Sequence, residues 1–149
     1  MKIYIASDHA GFEYKKGLVP FIESIGHEVI DCGADKLNEE DDYPEFISKA
    51  AREVSNDPDN AKGIILGGSG QGEAMLANRF KGVRAAVYNT DNLDLIRSSR
   101  EHNDANILSI GARFVTLEQA KEAIKLWLEA PFSKQEKYAR RIAQAEKYP

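Results

Sequence analysis

The sequence lacks the material for a disulfide framework, a metal cage or a membrane span. Its 149 residues include one cysteine and three histidines, which excludes a disulfide scaffold and argues against a histidine-rich metal centre. No apolar run approaches the roughly 20 residues that a membrane-spanning helix needs. The opening segment MKIYIASDHAG also lacks the apolar core of a signal peptide, because Asp8 and His9 interrupt it. We therefore expect a cytoplasmic protein with no membrane partner.

The charge balance gives no signal for nucleic acid. Twenty Lys and Arg residues stand against 24 Asp and Glu, for a formal charge of −4. A chain of this sign has no overall attraction for a polyanion, so no nucleic-acid partner is expected. An anionic ligand would instead require cations that the fold gathers at one place.

Short apolar runs alternate with longer amphipathic stretches along the chain. With 42% apolar residues, the sequence is long and apolar enough for one domain, residues 1–149, with a buried core. Apolar spacing predicts strands over 2–6, 28–32, 62–66, 83–88 and 106–110. It predicts helices over 12–25, 44–54, 73–80, 93–100, 117–128 and 133–147.

This alternation predicts an α/β fold in which a five-stranded parallel sheet carries helices on both faces. Ligands of such folds bind beyond the carboxyl ends of the strands, near a topological switch point. Four segments at these ends are polar or rich in glycine: 7–11, 67–73, 89–91 and 111–113. The functional site is expected among them.

The strongest local signal is the loop GGSGQGE at 67–73, which follows a predicted strand and precedes a predicted helix. It is not a P-loop, because no Lys-Ser/Thr pair follows the last glycine, and it lacks the third glycine of a dinucleotide fingerprint. Closely approaching N–H groups without a lysine suit an oxyanion or an enediolate. The structural alternative is a tight turn between strand and helix, which four glycines in six residues make the weaker interpretation.

Glu73 would lie in the first turn of that helix. A carboxylate there either interacts favourably with the helix dipole or serves as a general base beside the loop. The dipole lowers the carboxyl pKa and burial raises it, and the sequence does not decide between them.

Other candidates have structural alternatives as well. Asp8 is suited to sugar hydroxyls or to a helix N-cap, and His9 to a phosphate or to no function. His102 is a lone histidine between a helix and a strand, a setting that is more often structural. Arg113, after the last strand, is placed for an anion clamp. The cationic final helix could reach a partner subunit, although its composition alone favours a solvated surface helix.

Five segments together resemble one family. They are SDHAG at 7–11, DDYPEF at 41–46, GGSGQGEAMLANRFKGVRAAV at 67–87, REHNDANILSIGAR at 100–113 and KYARRI at 137–142. They cover nearly the whole chain and resemble the type B ribose-5-phosphate isomerases and the related galactose-6-phosphate isomerase subunits. The resemblance implies a Rossmann-like three-layer sandwich without metal or cofactor. It also implies a homodimer or tetramer whose C-terminal helices complete active sites between subunits.

The resemblance further implies an aldose–ketose isomerase that interconverts ribose 5-phosphate and ribulose 5-phosphate through a cis-enediolate. By matched position, Glu73 would transfer the C1/C2 proton, His102 would open the sugar ring and Asn103 would contact the enediolate. The anion hole would comprise Gly67, Gly68, Ser69, Gly70, Gln71 and Gly72.

The remaining matched residues would bind the rest of the sugar phosphate. Asp8 would bind hydroxyls, Tyr43 would line the site and His9 would contact the phosphate. The phosphate clamp would consist of Arg113, Lys137 and Arg141, of which the last two would come from the partner subunit.

Two positions depart from the family pattern. Many members carry a cysteine base where this chain has Gly67, whereas one branch uses a glutamate that matches Glu73. The final helix often carries Arg-His where this chain has Lys137 and Tyr138, and lysine meets phosphate without the bidentate fork of arginine.

Two other functions stay open at this point. One is isomerisation of a related sugar, such as galactose 6-phosphate, allose 6-phosphate or a free pentose. The other is a non-catalytic, flavodoxin-like ligand-binding module, which would leave Glu73 and His102 without a joint purpose.

Overall fold

Strands and helices alternate along the chain, as the sequence predicts. The structure, a computed structural model, describes residues 1–149. The strands are β1 (Lys2–Ser7), β2 (Glu28–Asp31), β3 (Lys62–Gly67), β4 (Ala85–Tyr88) and β5 (Ile107–Gly111). The helices are α1 (Phe12–Ser24), α2 (Tyr43–Asn56), α3 (Gln71–Ala77), α4 (Leu93–Glu101), α5 (Leu117–Glu129) and α6 (Glu136–Ala145).

The five strands form one parallel sheet in the order β2-β1-β3-β5-β4. From β1 the chain moves to β2 at one edge of the sheet, and from the central β3 it crosses to β4 at the other edge before it returns to β5 between them. The topological switch point therefore lies between β1 and β3, where Ser7 pairs with Leu66 near the carboxyl ends of both strands. A crevice for ligands is expected at this point.

Alternate residues of the central strands feed two cores, one on each face of the sheet. Ile64 and Leu66 of β3 belong to the larger core with α1, α4 and α5, whereas Ile65 faces α2 and α3. Trp127 of α5 is fully buried in the larger core. The sheet between two helical layers confirms the Rossmann-like three-layer α/β fold.

Most predicted boundaries hold within two residues, and the larger differences have local causes. Helix α6 begins at Glu136 rather than 133, after Lys134 adopts a left-handed φ of 57°. Helix α3 covers Gln71–Ala77 rather than 73–80, because Gly70, at φ 78°, turns the chain before its start and only i to i+3 bonds from Arg79 and Phe80 follow its end. Thr116 caps the start of α5 and forms a capping box with Gln119.

None of the helices has the length and apolar character required to cross a bilayer.

Candidate active site

Three of the four polar segments, 7–11, 67–73 and 111–113, converge at the carboxyl ends of β1, β3 and β5. Asp8 follows β1, the glycine loop follows β3 and Arg113 follows β5. β1 and β5 flank β3 on either side, so the loop occupies the middle of this edge. The location agrees with the ligand crevice expected at a topological switch point.

Two polar side chains from neighbouring strands hold the glycine loop in place. The buried Ser109 hydroxyl of β5 donates to the carbonyl of Gly70 at 2.6 Å, and Asn89 Nδ2, after β4, donates to the carbonyl of Ser69 at 3.1 Å. Gly70 has a φ of 78°, which L side chains rarely adopt. The loop is therefore a fixed element rather than a flexible connection.

The loop presents N–H groups that have no acceptor within the chain. Its carbonyls at Gly67 and Gly68 accept from Ala112 and Arg113, whereas the N–H groups of Gly68, Ser69 and Gly70 donate to nothing. Backbone donors without a partner are uncommon unless water or a ligand satisfies them. These donors are suited to an anionic oxygen, as the sequence predicts for the loop.

Glu73 lies in the first turn of α3 and is buried, with 5% of its surface exposed. Its carboxylate lies over Gly67, since a Cβ atom built on Gly67 would overlap it. Burial raises the pKa of Glu73, its backbone hydrogen bond opposes this and the nearby charge of Asp8 adds to it. Burial thus dominates the balance that the sequence left open, and it makes this carboxylate a stronger base.

Tyr43 and Arg113 flank the loop from opposite sides. A Cβ on Gly72 would lie 3.0 Å from the Tyr43 hydroxyl, and a Cβ on Gly68 would lie 3.1 Å from Arg113 Nη1. The exposed guanidinium of Arg113 is thus a cation beside the unpaired N–H groups.

Asp8 and His9 occupy the short 3₁₀ turn that follows β1. Asp8 caps this turn by accepting from the N–H of Ala10 at 2.9 Å, so its structural role is confirmed. His9 Nδ1 lies 2.7 Å from Asp41 Oδ1 and 3.9 Å from Asp8 Oδ2. The sequence analysis missed Asp41, which lies 32 residues away from His9 with no local motif to indicate the contact. The His9 ring is therefore hydrogen-bonded to Asp41, and the carboxylate of Asp8 lies nearby without a hydrogen bond to the ring.

A second group of candidates lies beside α6. His102 caps the end of α4, and its ring stacks on Tyr138 with centroids 4.4 Å apart and an interplanar angle of 17°. Asn103 and Arg141 line one groove of about 1020 Å³ between α6 and the segment 78–86. Lys137 is exposed, with its Nζ 4.8 Å from the centroid of the Tyr138 ring.

No hydrogen bond, ion pair or ring contact of the chain joins this second group to the glycine loop. The resemblance assigns His102 and Glu73 to one active site, but within one chain the ring of His102 contacts Tyr138 of α6. The candidate residues of the chain therefore form two groups, one around Glu73 and one around His102.

Comparison with known sequences gives a single family. The profile described as Ribose/Galactose Isomerase matches residues 3–145. A protein of Mycolicibacterium paratuberculosis named ribose-5-phosphate isomerase B is 41% identical over 142 residues, which cover 95% of this chain and 87% of that protein.

Solved structures agree with the sequence comparison. Ribose-5-phosphate isomerase B of Clostridium thermocellum is 41% identical, with a TM-score of 0.91 over 99% of this chain and 96% of that one. The enzyme of Mycoplasma genitalium, whose crystal structure has bound ribulose-5-phosphate, is 33% identical, with a TM-score of 0.94 over 99% and 95% of the two chains. The chain therefore belongs to the Ribose/Galactose Isomerase family.

Proposed function

We propose that the protein is an aldose–ketose isomerase that interconverts ribose 5-phosphate and ribulose 5-phosphate. The observation that carries this proposal is a buried carboxylate, Glu73, beside a loop of unpaired N–H groups. A base next to an oxyanion site is the arrangement that enolisation of a sugar requires. The relatives named ribose-5-phosphate isomerase B, one of them with bound ribulose-5-phosphate, support this substrate.

In the proposed reaction Glu73 removes the C2 proton of the open-chain aldose. The electron pair of the broken C–H bond forms the C1–C2 double bond, and the carbonyl electrons move to O1, which gives the enediolate. The N–H groups of Gly68, Ser69 and Gly70, with the Ser69 hydroxyl, stabilise that oxygen, at about 3 kcal/mol per donor in comparable sites. Glu73 returns the proton to C1, and the O2 proton moves to O1, which leaves the C2 carbonyl and the C1 hydroxyl of the ketose.

The remaining residues of the first group would bind the ends of the substrate. The proposed phosphate contacts are His9 and Arg113, which supply positive charge at the site although the whole chain has a net charge of −4. Asp8 would accept from sugar hydroxyls, and Tyr43 would line the site above Gly72, with Gln71 at the rim of the loop. No metal or cofactor enters this mechanism.

We further propose that the second group acts on the site of a partner subunit. His102 would open the furanose ring, Asn103 would contact the enediolate, and Lys137 with Arg141 would complete the phosphate clamp. Exposed apolar side chains support an interface beside the site, since Met75 is 70% and Phe114 is 64% exposed. The protein would then be a homodimer, or a tetramer of such dimers, in which each subunit supplies half of two sites.

The proposal keeps the single domain 1–149 and the cytoplasmic location expected from the sequence. The one cysteine, Cys32, is free, as is usual for proteins of a reducing compartment.

A panel of sugars tests the substrate. The wild-type protein would be assayed, in the presence of chelator, on ribose 5-phosphate, galactose 6-phosphate, allose 6-phosphate and free ribose. We expect the highest kcat/KM on ribose 5-phosphate and almost none on free ribose. A preference for a six-carbon sugar phosphate would change the assigned substrate but not the mechanism. No turnover of any sugar would contradict the proposed function.

A further inference from the structure

One carboxylate oxygen of Asp41 is hydrogen-bonded to both the backbone and the ring of His9. Asp41 Oδ1 accepts from the backbone N–H of His9 at 3.0 Å and lies 2.7 Å from its ring Nδ1. Two bonds to one atom fix the main chain and the ring together. The ring plane and the direction of Nε2 are therefore set by Asp41.

Asp41 has no other side-chain partner. Its side chain is 5% exposed, and its second oxygen, Oδ2, is buried without a hydrogen bond. A buried carboxylate is costly unless a cation compensates it. His9 is the titratable group in contact with it, so burial of Asp41 favours the imidazolium form of His9.

The protonation state decides what His9 can do for a phosphate. In the neutral ring that donates from Nδ1 to Asp41, Nε2 is an acceptor and repels a phosphate oxygen. In the imidazolium both nitrogens donate, so Nε2 can form a charge-assisted hydrogen bond while Nδ1 stays on Asp41. The ring is 28% exposed, which leaves it accessible to a ligand.

We propose that Asp41 is a positioning residue that orients the His9 imidazolium so that Nε2 binds the substrate phosphate. This inference rests on the proposed function, in which His9 contacts the phosphate of a sugar phosphate. Asp41 itself touches no substrate and acts only through His9.

The charges around His9 are consistent with this role. The hydrogen bond that the His9 ring donates to Asp41 raises the pKa of His9, and burial lowers it. The charges of Asp8 and Asp41 raise this pKa further and that of Arg113 lowers it, so the net pKa lies above 6.5. With Asp41 present, phosphate binding through His9 should persist to a higher pH. Without Asp41, it should weaken as pH rises through the lower pKa.

The variant Asp41→Asn tests the proposal, because the amide keeps the shape and an acceptor oxygen but removes the charge. We expect KM for ribose 5-phosphate to rise about tenfold at pH 7.5, with kcat changed less than twofold. The ratio of the two KM values should approach one at pH 5.5, where His9 is protonated in both proteins. Glu40→Gln is the matched control, because it removes one charge from an exposed position of the same loop and should leave KM unchanged.

The same substitution in a His9→Ala background separates positioning from a general structural role. If Asp41 acts through His9, Asp41→Asn should add no further rise in KM there. An equal rise in both backgrounds, or a KM ratio that does not depend on pH, would overturn the proposal.

A measurement that needs no turnover keeps this test independent of the proposed function. The pKa of His9 can be followed by NMR in each variant, together with the binding of inorganic phosphate. We expect Asp41→Asn to lower both the His9 pKa and the affinity for phosphate at pH 7.5. Unchanged values would contradict the role of Asp41 even in an active isomerase, whereas a wild type without isomerase activity would contradict the proposed function alone.

Discussion

The carboxylate of Glu73 occupies the space in which a side chain on Gly67 would lie. A Cβ atom built on Gly67 overlaps the carboxyl group of Glu73. Many members of the family that the sequence resembles carry a cysteine base at the position of Gly67. On this backbone the two bases exclude each other, because a side chain at 67 and the present position of Glu73 cannot coexist.

The first prediction follows from this overlap. Gly67→Ala should displace the Glu73 carboxylate and lower kcat about 100-fold, a loss typical of a misplaced general base. Gly63→Ala, on the same strand, is the control, because its Cβ would meet only apolar side-chain atoms, Cγ1 of Ile107 at 3.0 Å and Cγ2 of Val54 at 3.3 Å. It should retain most of the activity. Near-normal kcat in Gly67→Ala would show that the carboxylate is not needed where it lies.

The second prediction concerns pH. Burial raises the pKa of Glu73 above 4.5, and only the ionised carboxylate can accept a proton. The value of kcat/KM should therefore fall as pH decreases through that raised pKa, so its acid limb should lie above the range of an ordinary glutamate. A pH profile of kcat/KM, which reports groups of the free enzyme, checks this, and a limb at or below 4.5 would contradict it.

The third prediction is that Glu73→Gln stabilises the fold. Between the ordinary pKa of glutamate and the raised one, the folded state binds a proton that the unfolded chain has lost, so stability falls as pH rises through this window. Above this pH window the free-energy cost of burying the charged carboxylate is fully present, and glutamine removes that cost. We expect Tm to rise by a few degrees at pH 7.5 and to match the wild type at pH 4. A variant that melts lower at pH 7.5 would disagree with a buried, destabilising carboxylate.

The fourth prediction concerns the shared site. Glu73→Gln and His102→Ala should each be inactive alone. If the two groups meet across subunits, a mixed dimer has one site with both changes and one site with neither. Unfolding and refolding an equal mixture should therefore restore about one quarter of wild-type activity by random reassociation. Recovery of no activity would place both residues in one subunit's site.

The fifth prediction concerns the stack between His102 and Tyr138. Tyr138→Ala removes a contact worth about 1 kcal/mol, and it should slow turnover of ribose 5-phosphate about tenfold by leaving the imidazole less ordered. Tyr138→Phe keeps the ring and should remain near the wild type.

A second readout isolates ring opening in these Tyr138 variants. Ribulose 5-phosphate cannot form a furanose, because its 5-hydroxyl is esterified, so exchange of its C1 proton in D₂O needs no ring opening. This exchange should survive Tyr138→Ala. Its loss in parallel with turnover would indicate general damage to the site instead.

Much of the fold is readable from the sequence because its signals are local. Apolar runs of strand length and amphipathic stretches predict the five strands and six helices. The glycine loop is likewise a contiguous signal. Boundaries shifted where one residue took an unusual backbone conformation, as Lys134 did before α6.

What the sequence could not reveal depends on contacts between distant segments. Asp41 reaches His9 across 32 positions, and Ser109 holds Gly70 across 39. The direction of the pKa shift of Glu73 could not be predicted, because it depends on burial of the carboxylate where it packs over Gly67. The position of His102 away from the glycine loop could not be predicted either, because it depends on where α6 runs.

The role of Glu73 as the base is tested most directly by conversion of ribose 5-phosphate in D₂O, with chelator present, by the wild type and by Glu73→Gln. For the wild type we predict conversion to ribulose 5-phosphate, with deuterium at C1 in those turnovers in which the proton on Glu73 exchanges with solvent before it returns. For the variant we predict neither conversion nor deuterium, while ribose 5-phosphate still binds with near-normal affinity. Near-wild-type conversion by Glu73→Gln would contradict the assignment of Glu73 as the base.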